Sequence, residues 1–255
     1  MTEGHWLVAQ AAVLLAAALQ SATGVGLGMI AGPALILVMG SKSAIQVAII
    51  LNLSLSILLL PGETREIHWP SLKTMILGTL LGMPAGLLLI GMLDLVALKL
   101  FAAAAITVCA AQLIHRHRNH ARTGASRTTN PMTLPGASVA SGIMASSLAM
   151  PGPVVLWALA RNAITPHQIR ATLRALFVIS YGLALLAHAL QGMDWSTVID
   201  ASLGLGIALA CGTLIGFFIK RRLSAKVLNA LLLGLLLVMG LSLFAKSLVE
   251  LLDRA

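Results

Sequence analysis

Gly24 to Pro33 reads GVGLGMIAGP, and Gly142 to Pro153 echoes it as GIMASSLAMPGP. Both stretches sit inside long apolar runs, where a helix-interior glycine costs about 1 kcal/mol and a proline about 3 kcal/mol. At bilayer depth, backbone released from helical pairing survives only where protein or a water-filled cavity satisfies it. Two matched breaks therefore predict discontinuous helices whose ends meet at a site.

The surroundings of the breaks fix the solvent. Of 255 residues, 58% are hydrophobic and 10% charged, with a mean hydropathy of +0.96; a soluble domain carries about 25% charge. The charges fall between apolar runs of about 20 residues, the length that crosses about 30 Å of hydrocarbon. The chain reads as an all-α, polytopic integral membrane protein. A net charge of +9 and a pI near 10.6 raise the question of nucleic acid, but the basic residues cluster at the ends of apolar runs. They read as topology signals and contacts to anionic lipid, so the bilayer is the expected partner and nucleic acid is not. Cys109 and Cys211 lie within apolar segments, which predicts buried thiols and no disulfide framework. MTEGHW lacks the positive region that opens a secretory signal, so the first apolar run is expected to be retained.

Hydropathy places apolar runs at about 6–39, 43–60, 70–92 and 95–114, then again at about 135–159, 168–190, 196–218 and 226–249. Between the two sets, HRHRNHARTGASRTTNP from His115 to Pro131 is basic and polar. This divides the chain into an N-terminal repeat (1–114), a cytoplasmic basic linker (115–134) and a C-terminal repeat (135–255). Gly32-Pro33 corresponds to Gly152-Pro153, Trp69 to Trp195, and GMPAG at Gly82–Gly86 to GTLIG at Gly212–Gly216. Ser43 with Gln46, and Thr165 with Gln168, fit the capping-box spacing, and Pro166 stands at the favoured first helical position.

Loop charge sets the orientation. Arg116, Arg118, Arg122 and Arg127 form one cluster and Lys220, Arg221, Arg222 and Lys226 another, so both are expected in the cytoplasm. Three runs separate them, and the broken run at 135–159 is the natural one to return to its own side. The same logic puts Arg65 and Lys73 inside and the N-terminus outside. Each half then comprises one broken or re-entrant element plus about three transmembrane helices, an odd number of crossings, and the halves are inverted repeats. The simpler alternative makes the first run a single long tilted span.

The candidate site residues follow from the breaks. At Thr23, Gly24, Gly26, Gly28 and Gly32 in the first half, and at Ser146, Ser147 and Gly152 in the second, unwound N–H groups, half-helix N-termini and small hydroxyls are placed to bind an anion. The competing explanation is that these glycines only let helices approach, which is the preferred reading for Gly82, Gly86, Gly212 and Gly216. Arg170 and Arg174 lie one turn apart on the same face of IRATLRAL. Arg174 falls about 12 Å along a helix that starts near Pro166, where a lipid-exposed arginine costs about 2.5 to 3.5 kcal/mol. It is the expected anion-attracting group, with Arg170 nearer the interface. Asn52 and Gln46 occupy the related helix of the first half, where an interhelical hydrogen bond is the alternative role. Tyr181 lies two turns beyond Arg174 on roughly the same face, with His188 further along; both line either a pathway or a packed interior. His115, His117 and His120 read as a solvated basic anchor rather than a metal site. Neither a dinucleotide fingerprint nor a catalytic constellation survives inspection, and no carboxylate stands at midspan, so an enzyme is not expected, no cofactor is expected and the coupling ion is unassigned.

The Gly-rich break with its Gly-Pro end in each half, the R-A-T-L element, the Trp that opens the following helix and the GxxxG helices together resemble the sulfite exporter TauE/SafE family over Gly24 to Leu248. The resemblance implies export or uptake of a small sulfur-containing or organic anion, such as sulfite, thiosulfate or a sulfonate like sulfoacetate, across a bacterial inner membrane, and the inverted repeats add the expectation of alternating access. The second break, ASSLAMPGP, departs from the family in carrying serines and Ala149 where glycines are common. An anion channel, and a membrane-embedded enzyme or assembly factor, are the competing readings. Both a monomer and a homodimer are compatible with the sequence.

Overall fold

The computed structural model describes residues 3–119, 132–161 and 164–252. Among the described residues every regular element is helical. The first half contains α1 (Glu3–Thr23), α2 (Leu27–Met39), α3 (Ser43–Leu59), a 3₁₀ turn (Pro61–Glu66), α4 (Trp69–Met92) and α5 (Leu95–Asn119). The second contains α6 (Thr133–Leu148), α7 (Gly152–Leu159), α8 (Pro166–Leu190), α9 (Trp195–Arg222) and α10 (Ala225–Leu252). Six of these, α1, α4, α5, α8, α9 and α10, include stretches long and apolar enough to cross a bilayer.

The first apolar run is two helices, not one. Gly24 and Gly26 adopt φ of +92° and +149°, values L side chains rarely reach. Gly26 then lies against Ala16 and Gln20, so the chain turns back along α1 and α2 packs beside it. The unpaired backbone is confined to this tight turn, and α2 continues through Pro33. The second break is shorter: α6 ends at Leu148, Ala149 takes a left-handed conformation at φ 55°, and α7 starts at Gly152-Pro153.

Short helices fill the interior and long ones surround it. Nearly all of α2 is buried from Leu27 to Ile36, and α3 packs on α8. The long α4, α9 and α10 turn Leu81, Leu203, Ile207, Phe218 and Leu241 outward, as a lipid-facing surface requires. Glycine decides how the long helices pack. A Cβ on Gly82 would overlap the Val139 carbonyl and one on Gly86 the Ile143 carbonyl; Gly212 and Gly216 stand in the same relation to Leu14 and Ala18. α4 thus runs parallel to α6, and α1 parallel to α9, each pair through one GxxxG. Small residues at these crossings let backbones approach where lipid supplies no hydrophobic drive, and they have the packing role expected of them. α5 and α10 run antiparallel, with Lys99 Nζ 2.6 Å from Glu250 and Gly240 beside Ile106.

Helix starts agree with the sequence in three of four places. α4 and α9 begin at Trp69 and Trp195, capped by His68 and Asp194. The Thr165–Gln168 capping box forms, its two hydrogen bonds spanning 3.2 and 3.0 Å. The Ser43–Gln46 box does not: Lys42 is already helical, Ser43 is the first residue of the helix rather than its cap, and no side chain caps it. Lys42 instead donates to the Ile90 carbonyl at 2.6 Å. α5 stays helical to Asn119, beyond the expected end of the run at 114. The histidine and arginine calls at His115, Arg116, His117, Arg118, His120, Arg122 and Arg127 concern side chains outside the described residues. Of the two thiols expected to be buried, Cys109 is and Cys211 is exposed, because α9 turns its Gly212 and Gly216 face toward α1.

Candidate functional site

The first break is satisfied from within its own hairpin. The Gln20 amide oxygen accepts the Leu27 N–H at 2.8 Å, capping the start of α2. Thr23 Oγ1 stands 2.8 Å from the Leu19 carbonyl and 2.6 Å from the Val25 carbonyl, two acceptors for its one proton. Beyond the Gln20 cap, the N–H groups of Gly28 and Met29 lie in the first turn of α2, where no helical partner exists and the helix dipole is positive. Arg170 flanks the break: a Cβ on Gly24 would lie 3.1 Å from its Cγ.

The second break is held from α8. Tyr181 donates its hydroxyl to the Ala149 carbonyl at 3.0 Å, and His188 Nε2 lies 2.8 Å from the Ser146 carbonyl. These two acceptors belong to the last turn of α6 and the residue after it, where carbonyls lack helical partners. Ser141 donates to the Pro151 carbonyl at 2.7 Å. The Ser146 hydroxyl donates to the Met83 carbonyl at 3.0 Å and that of Ser147 to the Ile143 carbonyl at 2.6 Å. Both serine protons are therefore directed at backbone in this conformation.

The breaks meet. A Cβ on Gly28 would overlap the Ala149 carbonyl and stand 2.9 Å from the Tyr181 hydroxyl, while one on Gly32 would lie 3.1 Å from the Leu148 carbonyl. Around this contact Gly26, Gly28, Met150, Gly152, Phe177 and Tyr181 are among the residues lining a cavity of about 10 Å³, room for about one water. Gly26, Gly28, Gly152 and Tyr181 are thus brought together, with Thr23 and Gly24 in the same turn and Gly32 one helical turn on. Residues 170, 174, 177, 181 and 188 form one stripe along α8, on which Arg170 flanks the first break and Phe177, Tyr181 and His188 contact the second.

Arg174 is less free than its sequence suggests. Its Nη1 lies 2.8 Å from Glu63 Oε1 and 3.2 Å from the Leu59 carbonyl. The same carboxylate oxygen lies 3.0 Å from Arg170 Nε, and Arg170 Nη2 is 3.1 Å from His167 Nδ1. Asn52 is fully buried; its amide donates to Ala48 at 2.8 Å and its Oδ1 has no hydrogen-bond partner. Among the described residues no group of His, Cys, Asp and Glu is arranged to hold a metal.

Residues 9–243 match the model of the family described as Sulfite exporter TauE/SafE. The chain belongs to the sulfite exporter TauE/SafE family. No curated protein and no solved structure matches it. Membership in TauE/SafE implies a multi-pass membrane transporter of sulfite-type anions. Three residues at the breaks and the arginine pair of this TauE/SafE chain escaped the sequence reading. Gln20 is a polar residue in an apolar run one turn before the break, a signal that could have found it. Phe177 falls on the Arg170–Tyr181 stripe. Glu63 lies in the polar stretch PGETREIHW, which hydropathy reads only as a loop.

Proposed function

We propose that the chain is a secondary transporter of a small sulfur-containing or organic anion, such as sulfite, thiosulfate or a sulfonate like sulfoacetate, working by alternating access in a bacterial inner membrane. The observation that carries this reading is the direct contact of the two breaks, Gly28 on Ala149, with the first turn of α2 and the start of α7 around one cavity. Two half-helix N-termini direct partial positive charge at that point, and Arg170 and Arg174 add full charge on the same side of α8. A cavity with room for about one water is too small for a sulfur oxyanion, so this conformation is a closed one. Binding requires the breaks to part.

Helix directions support an inverted repeat. α5 and α10 hold the same place in the two halves and run antiparallel, and the α1/α9 and α6/α4 pairs exchange roles between the halves. Related helices that run oppositely imply an axis across the helices rather than along them, the arrangement from which alternating access by rocking follows. The basic ends at Arg65, Arg170 and Lys220 are then cytoplasmic. No cofactor is required, and the transported anion and the surrounding lipid are the partners.

The test is a thermal-shift panel of sulfite, thiosulfate, sulfoacetate, taurine and simple carboxylates on purified protein, repeated with Arg174→Ala. At least one sulfur oxyanion is expected to stabilise the wild type and to lose most of that effect in the variant. Undiminished stabilisation in Arg174→Ala removes Arg174 from the site. In proteoliposomes, saturable exchange of the best ligand supports a carrier, and conductance without saturation supports a channel.

A further inference from the structure

The charged cluster at the first break contains a buried arginine, Arg174, a half-buried one, Arg170, and one carboxylate, and its pairing is incomplete. Glu63 Oε1 serves both Arg170, through Nε, and Arg174, through Nη1, whereas Glu63 Oε2 and Arg174 Nε are buried without a partner. Lys220 of α9 lies within electrostatic reach of all three groups. Positive charge therefore exceeds negative charge, and the Arg174 guanidinium keeps a donor, Nε, that the single carboxylate oxygen leaves unused. A planar guanidinium matches the paired oxygens of an oxyanion.

The carboxylate is carried by a short, exposed connector. Pro61–Glu66 is a six-residue 3₁₀ turn with no buried residue, set between α3 and α4. Runs of this helix type beyond three or four residues are uncommon, because their hydrogen-bond geometry is poorer than that of an α-helix. Its far end is tied down by the His68 N–H, which donates to Thr172 Oγ1 at 2.9 Å. Its middle is held by the Glu63 ion pairs, while Gly62 has open space around it.

We propose that Glu63 is a tethered stand-in for the transported anion: it occupies the oxyanion position on Arg170 and Arg174 in the closed conformation, and an entering sulfur oxyanion displaces it and swings the 3₁₀ turn outward. This rests on the reading that Arg170 and Arg174 receive the anion. Occupation by Glu63 lowers apparent affinity by the fraction of molecules in which the latch is open. It also demands that a ligand outcompete a carboxylate, so Glu63 is a specificity-determining residue that excludes weakly charged solutes.

The experiment titrates sulfite, thiosulfate and sulfoacetate into wild type, Glu63→Gln and Arg174→Gln by isothermal calorimetry in detergent. Glu63→Gln keeps the shape of the side chain and removes the charge; it is expected to bind the best of these anions on the order of tenfold tighter than wild type, and Arg174→Gln to lose binding. Unchanged or weaker binding by a monodisperse Glu63→Gln, alongside loss in Arg174→Gln, overturns the latch and leaves the anion site standing. Binding that survives Arg174→Gln overturns the anion site, and the latch with it. A second measurement leaves Glu63 in place: a nitroxide on Gly62→Cys in a Cys211→Ser background. The label is expected to gain mobility when the best anion is added at saturation; unchanged mobility overturns the displacement.

Discussion

The two breaks solve one problem with different parts. At the first, positive-φ glycines make the turn and side chains of the same hairpin, Gln20 and Thr23, satisfy the released backbone. At the second, a left-handed alanine and a proline make the turn, and the released carbonyls are served from another helix by Tyr181 and His188. The first break is therefore self-contained and the second is fastened to α8. A movement of α8 carries the second break with it, and because Arg170 lies on Gly24 the same helix reports that movement to the first.

The contact between the breaks is the strongest point at which to disturb this arrangement. Gly28→Ala places a methyl into the Ala149 carbonyl, a collision of backbone with side chain that no rotamer change relieves. Overpacking of this kind costs about 1–3 kcal/mol, and here it also holds the breaks apart. A markedly lower unfolding temperature and loss of anion exchange in proteoliposomes are expected. Wild-type exchange by Gly28→Ala breaks the claim that closure needs this contact.

Next comes the source of each break's hydrogen bonds. Tyr181→Phe keeps the ring beside Phe177 and removes the proton that pairs with Ala149, leaving a buried acceptor unsatisfied at a cost of about 1–3 kcal/mol. Gln20→Leu does the same to the Leu27 donor in the first hairpin. Comparable losses of stability are expected, but only Tyr181→Phe should loosen α8 from the second break, read as faster hydrogen exchange at Ala149 and Met150. Equal exchange in both variants erases the distinction between the self-contained break and the fastened one.

Much of this was open to inspection in the sequence. Glycine and proline inside apolar runs announced the breaks, Trp69 and Trp195 marked two helix starts, and GMPAG and GTLIG announced close crossings, because each of those signals is local. What stayed hidden depends on three-dimensional neighbours. Glu63 meets Arg174 across 111 residues of chain (174 − 63), and a glutamate in a polar loop carries no mark of pairing with a distant arginine. Ser146 and Ser147 looked like free donors because hydropathy does not show that Met83 and Ile143 carbonyls stand within reach. Cys211 shares its apolar run with Gly212, and only the packing of α9 on α1 decides that one faces out and the other in.

A smaller effect separates the turn residues themselves. Ala149 sits at φ 55°, which costs about 1–2 kcal/mol for an L residue. Ala149→Gly removes that strain but adds about 0.5–1 kcal/mol of unfolded-chain entropy and gives up about 0.8 kcal/mol for a buried methyl. The terms nearly cancel, and stability within about 1 kcal/mol of wild type is expected. Gly24→Ala has no such compensation: it takes on the strain at φ +92° and presses on Arg170 Cγ at 3.1 Å. A loss of about 1–2 kcal/mol in thermal unfolding is expected there. Loss of similar size in both variants means that Ala149 is not strained.

The smallest effect lies outside the membrane, where the caps of α4 and α9 differ in kind. The Asp194 carboxyl is held below the usual carboxylate range by hydrogen bonds from Thr197, with Ser196 adding to them, while the same position in the first half is His68. A group whose folded pKa is depressed contributes stability above its unfolded value, and loses it as pH falls through the folded one. Amide protection of Thr197 is therefore expected to hold near neutrality and to fall only in acid, below the ordinary aspartate pKa of about 3.9. Asp194→Asn keeps an acceptor for the Thr197 N–H and should flatten that acid limb while leaving protection at neutral pH close to wild type. An acid limb that persists in Asp194→Asn assigns the titration to another group and leaves the two caps indistinguishable by pH.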